Sequence, residues 1–77
     1  MIPYNLFSIE TAKHLIKVCE KYSDEFTVDV IYGRQVIDGC SIMGVMSLIG
    51  HVVSLDVSNR DSAKYEDFKR EVREISL

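Results

Sequence analysis

The sequence lacks most of the features that would assign it to a specialised class of protein. It has only two cysteines, Cys19 and Cys40, whose spacing does not suggest a disulfide framework, and this indicates a reducing compartment. Its longest apolar run, about Ile42 to Leu55, is interrupted by polar residues and falls short of the ~20 residues that a membrane span needs. A net charge of −3 gives no electrostatic reason to expect nucleic acid or an anionic membrane as a partner.

Signals for targeting and for chemistry are equally scarce. The first residues, Met1 to Asn5, lack the basic start and apolar centre of a signal peptide, so we expect a cytoplasmic protein. The sequence contains no metal-ligand spacing, glycine-rich phosphate loop or nucleophile motif. We therefore expect neither a metal nor another cofactor, and no enzymatic activity.

What the chain does have is enough apolar residues for one core. Its 77 residues, of which 47% are hydrophobic, predict a single domain over 1–77. A chain of this size buries only ~60–65% of the surface that its unfolded form exposes, so every element must contribute to that core.

Apolar periodicity predicts seven elements in the order β-α-β-β-α-β-α. They are a short strand over 2–7, a helix over 9–22 capped by Ser8, strands over 26–32 and 35–38, a helix over 42–49 capped by Ser41, a strand over 53–57 with His51 at its start, and a last helix beginning at Asn59 or Asp61. The pattern is typical of an α+β fold in which three helices cover one face of a four-stranded antiparallel sheet. Polar alternates should then face water on the open side of the sheet: Thr27, Asp29, Ser54 and Asp56.

Helical spacing also predicts which side chains face the core. For the first helix these are Ile9, Ala12, Leu15, Ile16, Cys19 and Tyr22. For the second helix they are Val45, Leu48 and Ile49. For the last helix they are Ala63 or Tyr65, Phe68, Val72 and Ile75.

The second helix is the most distinctive segment. The run Ser41-Ile42-Met43-Gly44-Val45-Met46-Ser47-Leu48 closely resembles the second helix of HPr, the histidine-containing phosphocarrier of the bacterial sugar phosphotransferase system. The predicted element order is also that of the HPr fold, an open-faced β-sandwich. The resemblance implies that Ser41 is a regulatory phosphorylation site. It also implies that Ile42, Met43 and Met46, extended by Phe7, are the surface on which protein partners dock.

The phosphocarrier site of that family is missing from this chain. Family members carry a Gly-x-His-x-Arg-Pro loop at the amino end of the first helix, where free amides and the helix dipole hold an oxyanion. Here Ser8 falls at the histidine position, Glu10 at the arginine position and Thr11 at the proline position. A carboxylate beside a phosphoryl group is repulsive, so the chain resembles a degenerate HPr that no longer transfers phosphate on histidine.

The two histidines do not restore the site. His14 lies further along the first helix on its predicted solvated face, and His51 follows Gly50 without charged neighbours in sequence. Ser41 itself has two interpretations: an N-cap alone, or a kinase target. Cys19 is expected in the core, and Cys40 precedes a helix but has the acidic neighbour Asp38.

The sequence therefore predicts an HPr-like binding or regulatory domain. Its expected partners are proteins, with a serine kinase or a transcriptional regulator implied by the resemblance. Two alternatives stay open: an atypical phosphocarrier that uses Ser8 or His14, and a structural protomer that self-associates weakly through its methionine patch.

Overall fold

The structure, a computed structural model, describes residues 1–76, although nothing is described of the side chains of Ile75 and Ser76. Within these residues seven elements follow one another in the predicted order. They are β1 (Ile2–Leu6), α1 (Ile9–Lys21), β2 (Val28–Tyr32), β3 (Gln35–Asp38), α2 (Ile42–Met46), β4 (His51–Val57) and α3 (Tyr65–Ser76). The predicted α+β class is confirmed.

The four described strands form one antiparallel sheet in the order β1-β4-β2-β3. The two inner strands are joined in register, with Val30 opposite Leu55 and Asp29 opposite Asp56. The β2–β3 hairpin turns through the two residues Gly33 and Arg34, and Gly33 has a φ of +60°. A positive φ at the first turn residue matches a type II′ hairpin, which suits the twist of the flanking strands.

One face of the sheet supplies eight of the nineteen buried hydrophobic residues among those described. Alternate residues of three strands are buried there: Ile2, Tyr4, Leu6, Val28, Val30, Val53, Leu55 and Val57. The helices cover this face with Ala12, Leu15, Ile16, Val18, Cys19, Tyr22, Val45, Phe68 and Val72. The rings of Tyr22, Phe26 and Phe68 pack together, with centroids 5.3–5.8 Å apart.

The prediction for α1 is wrong at its first residue. Ile9 is 54% exposed rather than buried, so burial along α1 begins only at Ala12, which is fully buried. The other predicted inner residues of this helix are buried, and Val18, which the predicted stripe leaves out, is buried as well.

Three helix boundaries also differ from the prediction, and the smallest difference is that α1 ends at Lys21 with Tyr22 as its C-cap. The second helix ends at Met46 rather than Ile49, and residues 47–50 form turns. The last helix begins only at Tyr65, which is partly buried, while Ala63 is exposed in the preceding turns. The predicted inward orientation of Ile75 falls on a side chain outside the described part of the structure.

The opposite face of the sheet is open. Thr27 is exposed, and Asp29, Ser54 and Asp56 are half-buried, as expected for polar alternates at a solvated face. Two valines at equivalent alternate positions, Val36 and Val52, are 63% and 52% exposed. Within residues 1–76, no helix has both the length and the apolar character needed to cross a membrane.

Candidate functional site

The second helix is held at its start by a single weak cap. Ser41 is exposed, and its Oγ accepts a hydrogen bond from the Gly44 amide at 3.4 Å. Its carbonyl accepts the first helical bond, from Val45 N at 2.9 Å. Because a hydrogen bond of 3.4 Å is near the long limit for this type, most of the interaction capacity of the hydroxyl is free.

The side chains of α2 divide between core and solvent. Val45 is fully buried and Leu48, just after the helix, is 4% exposed, but Ile49 is only partly buried. On the outer side Met43 is 86% exposed and Ile42 58%. Met46 is partly buried against the core. The exposed fraction therefore differs among the three residues predicted to dock partners, and Met43 is the most exposed of them.

A groove separates α2 from α1. It has a volume of about 270 Å³, and its walls combine apolar side chains with the stems of charged ones: Ile16, Ile42, Met46, Lys13, Lys17 and Glu20. Phe7 is 57% exposed but does not line this groove, because it precedes the opposite end of α1 from the residues that face Ile42. The structure thus brings together Ile42 and Met46 and leaves Phe7 apart.

Contact with the sheet fixes the position of α2. A Cβ atom placed on Gly44 would lie 2.5 Å from Ile37 Cγ2 and 3.1 Å from Ser41 Oγ. Only glycine allows the helix backbone to approach β3 this closely, since the nearest atom is a branch methyl that has little freedom to move. Gly44 therefore sets the height at which Ile42 and Met43 stand above the sheet.

The amino end of α1 is organised as a complete capping box. Ser8 Oγ accepts from Thr11 N at 3.2 Å, and Thr11 Oγ1 accepts from Ser8 N at 3.1 Å. Thr11 Oγ1 also donates to the Ser8 carbonyl at 2.8 Å. These reciprocal bonds satisfy two backbone donors that would otherwise be available to an anion.

Strand β1 is tied to the same turn from below. The buried Tyr4 hydroxyl donates to the Thr11 carbonyl at 2.6 Å, and burial raises the pKa of Tyr4 well above its usual range. Glu10 is exposed on the outer side of the turn, and the first turn, residues 9–12, contains neither histidine nor arginine. The hydrogen bonds at the amino end of α1 thus stabilise the helix itself, and Glu10 places a carboxylate where a bound phosphate would need a cation.

The two histidines have different surroundings. His14 is half-buried, and its Nε2 lies 2.7 Å from the Glu71 carbonyl oxygen of α3, so its predicted place on a solvated face is wrong. His51 is exposed and stacks on Tyr32 with ring centroids 4.3 Å apart. Neither lies at the amino end of α1.

The cysteines are not placed for thiolate chemistry. Burial raises the pKa of Cys19 to about 12, and burial together with the Asp38 carboxylate raises that of Cys40. Cys19 Sγ would be 2.7 Å from a Cβ on Gly39, so this thiol fills the space beside that glycine. Cys19 is a core residue, as predicted.

A charged cleft that sequence reasoning did not find lies between the end of α1, the following loop and α3. Its volume is about 590 Å³, and Lys21 Nζ lies 2.6 Å from Glu71 Oε1 in its wall. This hydrogen bond, helped by Tyr22, holds the pKa of Glu71 below its ordinary value, while the Glu71 carboxylate raises that of Tyr22 to about 12. The pairing joins residues 50 apart in sequence, and no local pattern signals such a contact.

Among the described residues, no group of three or more histidine, cysteine, aspartate or glutamate side chains is arranged to hold a metal ion. Comparisons of the chain with protein-family models, with curated proteins and with solved structures found no match. The geometry around α2 and α1 is therefore the basis on which a function can be assigned.

Proposed function

We propose that this chain is a cytoplasmic, non-catalytic binding and regulatory domain of the HPr type. It docks protein partners through Ile42, Met43 and Met46, here called the α2 surface, and phosphorylation of Ser41 controls that docking. It does not carry phosphate on histidine.

The observation that carries the proposal is the exposure of large apolar side chains on one short helix. Met43 is 86% exposed and Ile42 58%, although the same five-residue helix buries Val45 completely. Exposed apolar groups next to a groove are typical of interaction sites. Methionine in particular adapts its shape to more than one partner.

The arrangement at α1 supports the absence of phosphotransfer. The Ser8 hydroxyl is engaged in the capping box with Thr11, and Glu10 contributes negative charge to the same turn. His14 offers only Nδ1, because Nε2 faces the Glu71 carbonyl. An oxyanion at this end of the helix would meet repulsion instead of the cation and free amides that it needs.

The setting of Ser41 supports control by phosphorylation. The residue is exposed, and its hydroxyl has one long hydrogen bond to lose. A phosphate adds about −1.5 to −2 charges directly before Ile42. Because the charged side chains of Lys13, Lys17 and Glu20 line the other wall of the groove, an added charge beside Ile42 would change the electrostatic character of the α2 surface.

The docking part is tested by affinity purification with matched baits: the wild-type chain, Met43→Asp and Val36→Asp. Both substitutions place a carboxylate at an exposed apolar position, but Val36 lies on the sheet. We expect partners of the α2 surface to be lost with Met43→Asp and retained with Val36→Asp. Equal recovery of every protein with the three baits would contradict the proposal.

The absence of phosphate transfer on histidine is tested by incubating the chain with the first enzyme of the phosphotransferase system and labelled phosphoenolpyruvate. We expect no acid-labile label on His14 or His51. A stable label on Ser41 after incubation with an HPr serine kinase and ATP, absent from Ser41→Ala, would support the regulatory role. Acid-labile phosphohistidine would overturn the proposal in favour of an active phosphocarrier.

A further inference from the structure

The open face of the sheet departs from the polar surface expected of a solvated sheet. One row of directly paired residues crosses all four strands on this face: Pro3, Ser54, Ile31 and Val36. Val36 is 63% exposed and Val52, two residues before Ser54 on the same face, is 52% exposed. Apolar groups thus occupy one end of a surface that has no described element packed over it.

The adjacent row on the same face consists of carboxylates. Asp29 on β2 is paired with Asp38 on one side and with Asp56 on the other. Asp29 and Ile31 are two residues apart on one strand, so the two rows are roughly 7 Å apart. Side chains directly opposite across strands have Cβ atoms about 5 Å apart, and like charges there repel each other.

The described residues neutralise this row only at one end. Arg60 Nη2 lies 3.1 Å from Asp56 Oδ1. Asp38 Oδ1 accepts a hydrogen bond from the Cys40 amide at 2.8 Å, but this bond brings no cation. The side-chain carboxylate of Asp29, in the middle of the row, has no hydrogen bond or ion pair with any described residue. Negative charge therefore accumulates next to the apolar row.

From this juxtaposition we infer that the open face is a second docking surface, which binds a protein segment carrying lysine or arginine beside apolar side chains. Ile31, Val36 and Val52 take the apolar groups, and the row of Asp29, Asp38 and Asp56 takes the cations. We call these six residues the open-face surface. It lies on the other side of the sheet from the α2 surface, and it stands independently of the function proposed above.

Charge complementarity identifies the occupant. A cationic side chain over Asp29 would relieve the repulsion between neighbouring carboxylates that the isolated chain bears. A second copy of this chain would bring the same negative row and does not supply that relief. A bare divalent cation would leave Ile31, Val36 and Val52 uncovered.

The probe is a display library of random twelve-residue peptides, selected on the immobilised full chain and counter-selected on Val36→Lys. We expect the enriched peptides to combine lysine or arginine with apolar residues. Synthetic copies should bind the wild-type chain with an affinity that falls as salt is raised. Amide resonances of β2, β3 and β4 should shift on titration.

Variants assign the binding to the open-face surface. Val36→Lys on the edge strand and, independently, Val52→Lys should each weaken the enriched peptides at least tenfold. Lysine at an exposed edge-strand position is compatible with a sheet, and the amide spectrum checks the fold of each variant. Asp29→Asn should weaken binding about threefold and reduce its salt dependence, because one carboxylate of the row is lost. Met43→Asp, on the α2 surface, should leave the affinity unchanged.

Several results would overturn the inference. They are the absence of any enriched peptide, enrichment of peptides without basic residues, and loss of binding with Met43→Asp but not with Val36→Lys or Val52→Lys. Amide resonances of Asp29, Asp38 and Asp56 that shift saturably with millimolar calcium or magnesium alone would assign the row of carboxylates to a metal ion instead. A dimer in sedimentation that Val36→Lys dissociates would assign the face to a second copy.

Discussion

Serine opens both α1 and α2, and the two helix ends differ in almost every other respect. Ser8 begins a helix of 13 residues and shares with Thr11 the two reciprocal bonds of a capping box and a further bond from Thr11 Oγ1 to its carbonyl. Ser41 begins a helix of five and accepts one bond at 3.4 Å. Five residues of α1 are buried, against Val45 alone in α2. Ser8 therefore stabilises the start of a long helix, whereas Ser41 stays exposed at the start of a short helix that is positioned by its contact with the sheet.

The largest effect is expected from disturbing the close contact between Gly44 of α2 and Ile37 of β3. Gly44→Ala places a Cβ atom 2.5 Å from Ile37 Cγ2, and overpacking of this kind costs about 1–3 kcal/mol, less what alanine gains in helix propensity. We expect a lower free energy of unfolding in urea. We also expect weaker binding of partners at the α2 surface, because the helix must move away from β3.

A double mutant tests the assigned cause. Ile37→Ala removes the methyl that Gly44→Ala would meet, so the cost of the glycine substitution should shrink in that background. Met43→Ala, one residue away but exposed, should change the stability by less than about 0.5 kcal/mol. Additive effects of Gly44→Ala and Ile37→Ala would show that the close approach does not position the helix.

The two caps can be compared directly. Ser8→Ala should lower the free energy of unfolding by about 1 kcal/mol, whereas Ser41→Ala should lower it by only a few tenths. Thr11→Val should act through the same capping box as Ser8→Ala, so that the pair is less than additive. Equal costs for the two serine substitutions would remove the distinction between a structural and an accessible serine.

The sequence was sufficient for the elements whose periodicity is decided by burial. The polar alternates of β2 and β4 predicted which face of the sheet is open, because a shift of one residue would turn every side chain to the other face. The sequence failed at Ile9, since periodicity describes a helix face but not how far the covering layer extends along the helix.

The end of α2 shows why boundaries were harder to predict. The predicted helix over 42–49 ends directly before Gly50, which has a φ of +103°, but the helix stops at Met46. The Ser47 hydroxyl donates to the Gly44 carbonyl at 2.6 Å, and Leu48 N bonds to Val45 O in a tighter turn. A serine side chain that competes for backbone groups is a local alternative that apolar spacing does not reveal.

For the candidate site, the sequence predicted a docking surface of Ile42, Met43 and Met46, but not the surfaces that need distant parts of the chain. That Met43 is the most exposed of the three became known only from the structure. The groove with α1, the pairing of Lys21 with Glu71 and the row of Asp29, Asp38 and Asp56 depend on packing and strand register. None of these has a signature within a window of neighbouring residues.

The carboxyl end of α1 is joined to α3 by the ion pair between Lys21 and Glu71, and no described ion pair involves α2. Protonation of Glu71 in acid should break this pair. The Lys21 ammonium holds the pKa of Glu71 below its ordinary value of 4.5. A lowered folded-state pKa gives stability that is present above the unfolded pKa and is lost as the pH falls through the folded one. We expect Glu71→Gln to be less stable than wild type at pH 7, by under about 1 kcal/mol for so exposed a pair, with the difference shrinking as the pH falls below 4.5 and through the lowered pKa of Glu71.

Urea unfolding at pH 7, 5, 4 and 3 checks this expectation. Lys21→Gln should follow the same course, because it removes the other partner of the ion pair. A stability difference between wild type and Glu71→Gln that persists undiminished at pH 3 would mean that the glutamate acts through packing instead of charge.

The smallest expected effect on stability is the most informative about Ser41. Aspartate caps helices about as well as serine, and negative charge is favourable beside the free amides of the first turn. Ser41→Asp should therefore leave the free energy of unfolding within a few tenths of a kcal/mol of wild type. It should nevertheless reduce binding at the α2 surface, because the new carboxylate stands directly before Ile42, one of the residues of that surface. Asn59→Asp, at an exposed position outside the α2 surface, is the control for added charge. A loss of more than about 1 kcal/mol with Ser41→Asp would place Ser41 with Ser8 as a structural cap and remove the basis for a phosphorylation switch.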